Sequence, residues 1–541
     1  MTNHATEIAR ILLECEKSGT APPYVHVENG GESKDIYKSE GAIVPVSSRG
    51  GDIFVVSDLH LAGGKGRDGR YDGCENFFSD ASFRRFLNYA QQTSSPNKAT
   101  LIINGDFIDF LRITYVPGRL GAMTRWARIL TQLKLRRRSK RVLSLSPAEK
   151  ADFDRDFVEW QRLLETIGLR FSIDELVESI TDKEDLYGLK THSFKSVLKL
   201  DVAVKGHQEF FDGLAEWLGS GNRMIIVKGN HDLEWLWLDV RNYLRLDLAQ
   251  RVARKSGGDL KDVLLKTVLP NLIFIDHAMI IDEDFYIEHG HPYDALTRVI
   301  GKARVGGGEE LNIPFGSFFN RYLLNYIELD HPFLDNIRPT PNILPLMLRQ
   351  QFFTGLRLLY DHISVIAKTV PRMYVGWIFG QHIIGRVLLI LLAVILPPIL
   401  LLTHQLTNPP SWPLIVLEWV GALAGIYALV QALTYAQLKE PDSLAKFAKR
   451  RLDENSAYRL VTFGHTHNPD QFEERGRWFY NTGTWIPIVE ATSAELREDK
   501  TFTFLHLSSD SAGRLQPGVL ERWDDDGNRA EPVVLIRRAT T

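Results

Sequence analysis

A chain of 541 residues has room, at roughly 150 residues per domain, for three or four units or for one core carrying long insertions. Its 64 basic and 67 acidic residues leave a net charge of −3, so no basic excess marks a nucleic-acid binder, and 44% apolar with 24% charged residues exclude a wholly disordered chain. Two cysteines, Cys15 and Cys74, exclude a disulfide framework or a cysteine zinc cage and point to a reducing compartment.

In chain order, the first 20 residues hold no basic stretch followed by an apolar run, so no secretory signal is expected there. Ile8, Ile11, Leu12 and Cys15 stand at helical spacing, and 28–42 is rich in glycine, serine and charge, so 1–50 reads as an N-terminal helix and linker. From residue 52 short β-branched runs recur, each passing into polar residues: 52–58, 100–106, 223–230, 284–290, 459–467 and 478–483. Their length and composition predict buried strands. Helical patterns at 81–92 and 207–221 precede two of them, the second with Phe210, Phe211, Leu214, Trp217 and Leu218 on one face. Strand alternating with helix predicts the α/β class, in which ligands gather beyond the carboxyl ends of the strands.

The core is expected over 51–110, 201–295 and 451–541, the last part ending in C-terminal strands. Between these lies first a helical insertion, 111–200, basic from Arg112 to Arg141 and acidic from Glu149 to Asp185. It is either a solvated, self-neutralising surface or one for phosphate and anionic lipid headgroups. The second insertion, 296–450, holds an apolar pair: 387–402 has no charge and 413–436 has only Glu418. As a helix the first run covers about 24 Å, short of a roughly 30 Å hydrocarbon core unless Ile383, Ile384 and Gly385 join it. Arg386 precedes the pair, and Lys439, Lys446, Lys449, Arg450 and Arg451 follow it. The positive-inside rule then predicts a membrane hairpin over 383–436 with both outer ends, and the catalytic core, on the cytoplasmic side. The competing reading is a buried helical pair or an apolar dimer interface, with Pro397-Pro398 interrupting the first helix.

The strand tails carry the chemistry: Asp58-Leu59-His60, Gly105-Asp106-Phe107-Ile108-Asp109, Gly229-Asn230-His231-Asp232, His289-Gly290-His291 and Gly464-His465-Thr466-His467. Carboxylates, imidazoles and an amide, without a thiolate, at the ends of strands of one sheet suit manganese, iron, zinc or magnesium. Asp58 with His60, and His465 with His467, are two residues apart, which in an extended segment turns both members to one side for chelation. Glycines before Asp106, Asn230 and His465 allow tight turns and close approach. Six or seven ligands exceed one tetrahedral site and suffice for two divalent ions sharing a carboxylate.

This ordered set of five blocks resembles the calcineurin-like metallophosphoesterase superfamily, over roughly 50–110, 200–295 and 455–490. The resemblance implies a four-layer αββα sandwich, interrupted here by the helical insertion and the apolar hairpin. It also implies that Asp58, His60 and His467 bind one metal, that Asn230, His289 and His465 bind the other, and that Asp106 bridges them. His231 would face the substrate and Asp232 would orient it. In motif style the chain is similar to the UDP-2,3-diacylglucosamine pyrophosphatase branch, which usually has Arg at the place of His231 and Asp at that of His291, and lacks long insertions.

A water shared by two dications about 3.5–4 Å apart ionises near neutral pH, and the hydroxide attacks phosphorus in line. His231 is the expected general acid for the leaving oxygen. The glycine-rich run 63–73 is expected to loop over the site, either solvated or offering Lys65, Arg67 or Arg70 to a substrate phosphate. Asn481-Thr482-Gly483 reads as a polar turn at the site rim. His192, His207, His277, His331 and His362 stand outside the motif blocks and read as surface or core residues. The expected function is hydrolysis of a phosphate mono- or diester, including a lipid- or nucleotide-linked diphosphate, at a membrane. The alternatives are a phosphodiesterase or nuclease with a soluble substrate, and a non-catalytic membrane-tethered scaffold.

Overall fold

The computed structural model describes residues 2–27, 41–118, 146–325, 337–338, 382–435, 444–490 and 496–535, apart from 67, 72, 73, 95, 295, 296, 300 and 409. The strands that matter here are β1 (Ile43–Val46), β2 (Ile53–Val56), β3 (Thr100–Asn104), β4 (Arg223–Val227), β5 (Leu272–Ile275), β6 (Ala278–Ile281) and β7 (Phe285–Glu288). After the second insertion come β8 (Leu460–Phe463), β9 (Asp470–Glu474), β10 (Arg477–Asn481), β11 (Thr503–Leu507), β12 (Val519–Asp524) and β13 (Arg529–Pro532). All six expected strands are present, and the chain is of mixed α/β class.

They form two sheets, in the orders β13-β12-β11-β2-β3-β4-β5 and β1-β6-β7-β8-β10-β9. In the first, β2 to β5 run parallel, with Ile53 opposite Thr100, Thr100 opposite Arg223 and Ile225 opposite Ile273. In the second, β7 and β8 are parallel neighbours, Tyr286 opposite Val461. The polar tails therefore end two sheets rather than one, because β7 and β8 belong to a different sheet from β2, β3 and β4.

Alternation along each strand decides what it covers. Val55, Ile102, Ile225 and Ile273 from the first sheet meet Met279, Ile287, Leu460 and Tyr480 from the second in one apolar layer. On the far face of the first sheet, Phe54, Leu101 and Met224 pack with Phe83 and Phe86 of α1 (Asp80–Thr93) and Leu214 and Trp217 of α2 (Gln208–Gly219). On the far face of the second, Tyr286, Val461 and Phe479 cluster with Phe447, Ala448 and Leu452 of the 445–454 helix. Strands buried on both faces read as continuous apolar runs, which is why the sequence reveals them.

The described residues divide into two units. One comprises Met1–Arg321, Leu444–Pro487 and Glu498–Thr541, the other Tyr322–Ser443 and Ile488–Arg497. The N-terminal helix Thr2–Ser18 and the described part of 111–200 lie in the first. Trp160, Leu164 and Val197 of that segment share the apolar core of Phe83 and Trp217. Most of the basic half, 119–145, lies outside the described residues, but Arg112 is fully buried.

In the second unit two helices, His382–Thr407 and Trp412–Tyr435, have 26 and 24 residues, about 39 and 36 Å at 1.5 Å per residue. Pro397 and Pro398 lie inside the first helix, so they do not interrupt it; the helix runs through their two missing amide donors. Leu396, Ile399, Leu400, Val420 and Leu423 are exposed. Gln405 donates to Glu418 at 2.8 Å and accepts from the Trp419 indole at 3.0 Å, tying the two helices together. Trp412–Leu429, of mean hydropathy 1.6, is long and apolar enough to cross a membrane.

Candidate metal centre

The loops after β2, β3, β4, β7 and β8 converge at one end of the two sheets. Asp58, His60, Asp106, His465 and His467 all take left-handed backbone, with φ between 50° and 69°. Each such non-glycine residue costs about 1–2 kcal/mol. The two-residue spacing therefore does not act through extended alternation. Backbone bonds hold the turns instead: the Asp58 amide donates to the Gly105 carbonyl at 3.1 Å and that of His60 to the Asp106 carbonyl at 2.9 Å. The His465 amide donates to Asp58 Oδ2 at 2.9 Å. Glycine at 229 is required by contact, because a Cβ there would stand 2.1 Å from Asp106 Oδ1.

Three triplets of ligand-type side chains result among the described residues, the third being His60 with Asp109 and His231. In the first, His467 Nε2 is 3.3 Å from Asp58 Oδ1 and 3.0 Å from His60 Nε2. In the second, His289 Nε2 is 3.2 Å from Asp106 Oδ2, and His465 completes the group. Asp106 Oδ2 is also 3.7 Å from His60 Nε2, so this carboxylate stands between the first two triplets. His465 and His467 go to different triplets, which corrects the expectation that they chelate together.

Three features would let these groups hold divalent cations. Asp58 Oδ1, Asn230 Oδ1 and His289 Nε2 are buried and make no hydrogen bond, and an unsatisfied buried polar atom costs about 1–3 kcal/mol. His289 Nδ1 donates to the Asn104 carbonyl at 2.7 Å, and His60 Nδ1 lies 3.2 Å from Asp109 Oδ2, arrangements that leave both Nε2 lone pairs for a metal. The set is oxygen and imidazole only. Burial raises the Asp58 carboxyl, but His467 and His289 outweigh it and hold it down to about 2. Burial also opposes ionisation of Asp106, and His289 and His231 keep it well below the usual carboxylate range. Burial lowers the His289 imidazole, yet Asp106 pushes it up to about 9, so a proton competes for the position a cation would take.

His231 reaches the centre through its backbone, whose amide donates to Asp106 Oδ1 at 2.8 Å. Its ring Nδ1 is 2.8 Å from Asp109 Oδ2, and its ring stands 4.7 Å from that of His60. Asp232 does not orient it. The Asp232 carboxylate accepts the Gly229 and Phe107 amides at 2.6 and 2.9 Å, and burial together with nearby Asp106 pushes its pKa up. It braces the two turns, while Asp109 orients His231. The sequence offered Asp109 within its block, but only the fold brings it to both histidines. Asp294, whose Oδ2 is 3.3 Å from His465 Nε2, is a lone acid in a loop, which carries no signal of its own in a sequence.

Asn481 and Thr482 are buried rather than at a rim. Asn481 donates to the Gly464 carbonyl at 2.8 Å and Thr482 to Ser57 Oγ at 2.7 Å, bracing the loops of His465 and Asp58. The glycine-rich run is anchored: Glu75 accepts the Gly64 amide at 2.6 Å, and the Lys65 amide donates to the Gly206 carbonyl at 3.0 Å. Lys65 and Arg70 are exposed; Arg67 lies outside the described residues. His207 and His277 are buried and His192 is half-buried, while His331 and His362 lie outside the described residues. No family model, curated protein or solved structure matches the chain.

Proposed function

We propose that the chain is a dinuclear-metal-dependent phosphoesterase of the calcineurin-like type, built on an αββα sandwich and hydrolysing a phosphate mono- or diester at the cytoplasmic face of a membrane. The observation that carries the reading is the position of Asp106, whose Oδ2 lies 3.2 Å from His289 of one triplet and 3.7 Å from His60 of another. The ordered motif blocks and the two apolar-packed sheets support it.

Asp58, His60 and His467 would hold one cation and Asn230, His289 and His465 the second, with Asp106 shared. Two such ions, from among manganese, iron, zinc and magnesium, supply an activated water and draw charge from the phosphoryl oxygens. Asp109 holds the His231 Nδ1 hydrogen and stabilises the imidazolium, leaving the Nε2 hydrogen for the departing oxygen. The water oxygen bonds to phosphorus, the ester P–O bond breaks, the alcohol leaves with the His231 proton, and the proton lost by water restores the histidine. The exposed apolar helix pair would anchor the core in the bilayer.

The test is release of nitrophenol from p-nitrophenyl phosphate and bis(p-nitrophenyl) phosphate by the purified chain with each of the four metals. Asp106→Asn is expected to abolish turnover and lower bound metal. His231→Ala is expected to lower kcat at least about 10²-fold with metal content kept. Absence of turnover with every metal, or full activity in Asp106→Asn, overturns the reading.

A further inference from the structure

A cavity of about 270 Å³ lies at the amino-terminal ends of β3 and β4, with Arg49, Gly51, Lys98, Thr100 and Arg223 in its wall. This is the opposite end of the strands from the candidate metal centre, because Thr100 and Arg223 open β3 and β4 whereas Asp106 and Asn230 follow their last residues. The five residues of β4, at about 3.3 Å each, put roughly 17 Å between the two places.

Arg223 is 4% exposed. Its Nε donates to Thr100 Oγ1 at 3.1 Å, and its Nη2 is buried without an acceptor. Next to it in the chain, Asn222 Oδ1 accepts the Ala99 amide at 3.0 Å, while the Asn222 Nδ2 is buried and also lacks an acceptor. Burial lowers the pKa of Arg223 to about 10, and the charge of Arg49 adds to that. A buried charge is ordinarily paired, because solvation is lost and must be replaced. Here Asp282, the acid whose charge reaches Arg223, accepts the Ser48 amide at 3.0 Å and makes no ion pair with the guanidinium. The other two cations also rest on neutral groups: Arg49 Nη1 donates to Asn271 Oδ1 at 3.1 Å and Lys98 Nζ to the Ser220 carbonyl at 2.7 Å. Among the described residues the wall thus carries three positive charges and no carboxylate.

The cavity is also built closely. A Cβ on Gly51 would stand 1.8 Å from the Lys98 carbonyl oxygen, so glycine lets the segment after Arg49 lie directly against Lys98. The rest of the wall is small or polar, with Ser48, Gly50, Asn97 and Ala99. It offers neither an aromatic ring for a base to stack on nor an apolar surface for an acyl chain.

We propose that this cavity is a second ligand site, which binds the phosphate group of a small anion, either inorganic phosphate or a phosphate ester without an aromatic ring. Two guanidinium groups and an ammonium ion suit a phosphate dianion, which supplies the countercharge that Arg223 lacks. The volume is many times the about 10–15 Å³ that one water needs, so a few polar atoms beyond the phosphate fit as well. Nothing in this assignment depends on the chemistry of the metal centre.

The test is calorimetric titration of the full chain with inorganic phosphate and with glycerol 3-phosphate, after EDTA has stripped any metal from the candidate centre. Both are expected to bind, one per chain, and the tighter of the two identifies the source of the phosphate. Arg49→Gln and Lys98→Gln, at exposed positions, are each expected to weaken binding at least tenfold. Arg223→Met is expected to abolish it and, with no buried charge left to neutralise, to melt no lower than the wild type in phosphate-free buffer. Added phosphate is expected to raise the Tm of the wild type and not that of Arg223→Met. Absence of binding by the wild type, or binding that ignores both Arg49→Gln and Lys98→Gln, overturns the proposal. Asp106→Asn, at the far end of β3, is expected to bind as the wild type does. Binding lost in Asp106→Asn but kept in Arg49→Gln assigns the phosphate to the metal centre instead and equally overturns it.

Discussion

Asp109 serves two histidines through one oxygen: its Oδ2 is 3.2 Å from His60 Nδ1 and 2.8 Å from His231 Nδ1. Burial raises its pKa, but His231 and His60 hold it far below the ordinary carboxylate range, so it is a charged acceptor for both rings. Asparagine at 109 keeps the shape, removes the charge and can turn its amide donor toward one ring. Asp109→Asn is therefore expected to weaken metal binding about 10–100-fold through His60 and to lower kcat about 10²-fold through His231. Metal titration followed by turnover at saturating metal measures the two effects apart. Loss of neither would show that the aspartate is a bystander. The ligand types were legible in the chain because glycine-flanked acids and histidines follow apolar runs. The partner of His231 was not, since sequence adjacency favours Asp232, and only packing of the β3 loop against the β4 loop selects Asp109. Left-handed backbone at Asp58 or His467 was equally hidden, because only glycine announces it in a sequence.

Among the elements, the loop after His60 is clamped to the helices by a buried charge cluster. His207, between the helix Ser193–Gly206 and α2, places Nδ1 2.9 Å from Asp80 Oδ1 at the start of α1 and Nε2 3.0 Å from Glu75 Oε2. Glu75 also accepts the Ala62, Gly64, Asn76 and Phe77 amides. Burial lowers the imidazole, but Glu75 and Asp80 outweigh it and push its pKa up to about 9. A folded-state value above the unfolded value of about 6.5 stabilises the fold fully below that pH and ceases to do so as the pH rises through about 9. The differential amounts to roughly 3 kcal/mol at 1.36 kcal/mol per pKa unit. Urea unfolding at pH 6 and at pH 9.5 is expected to show this loss in the wild type and not in His207→Gln. Equal pH dependence in the two proteins would contradict the clamp. None of this could be read from His207 in the sequence, where it stands apart from every motif, because its partners lie 127 and 132 positions away.

At the scale of the whole chain, the second unit presents two long helices with exposed leucine, isoleucine and valine, joined by the Gln405–Glu418–Trp419 contacts. Vesicles of phosphatidylcholine and phosphatidylglycerol are expected to carry the full chain upward in a density gradient. Replacing 383–436 by a short Gly-Ser linker is expected to leave at least nine-tenths of the protein at the bottom. Flotation of the shortened chain would assign membrane attachment to another segment. Both apolar runs were legible as such, since composition alone marks them. Whether the proline pair would break the first helix was not, because proline's lost donors can be tolerated in a helix whose other contacts favour continuation.

The parallel pairing of β7 with β8 joins strands on either side of that unit, with Tyr286 and Val461 directly across from each other. The ladder there is formed by hydrogen bonds and a shared apolar layer, so its order does not depend on an unbroken backbone through 322–443. A protease that severs the polypeptide inside that stretch would leave two fragments still mated along the second sheet, migrating apart only after denaturation. His289 and His465 would then stay neighbours while belonging to separate polypeptides.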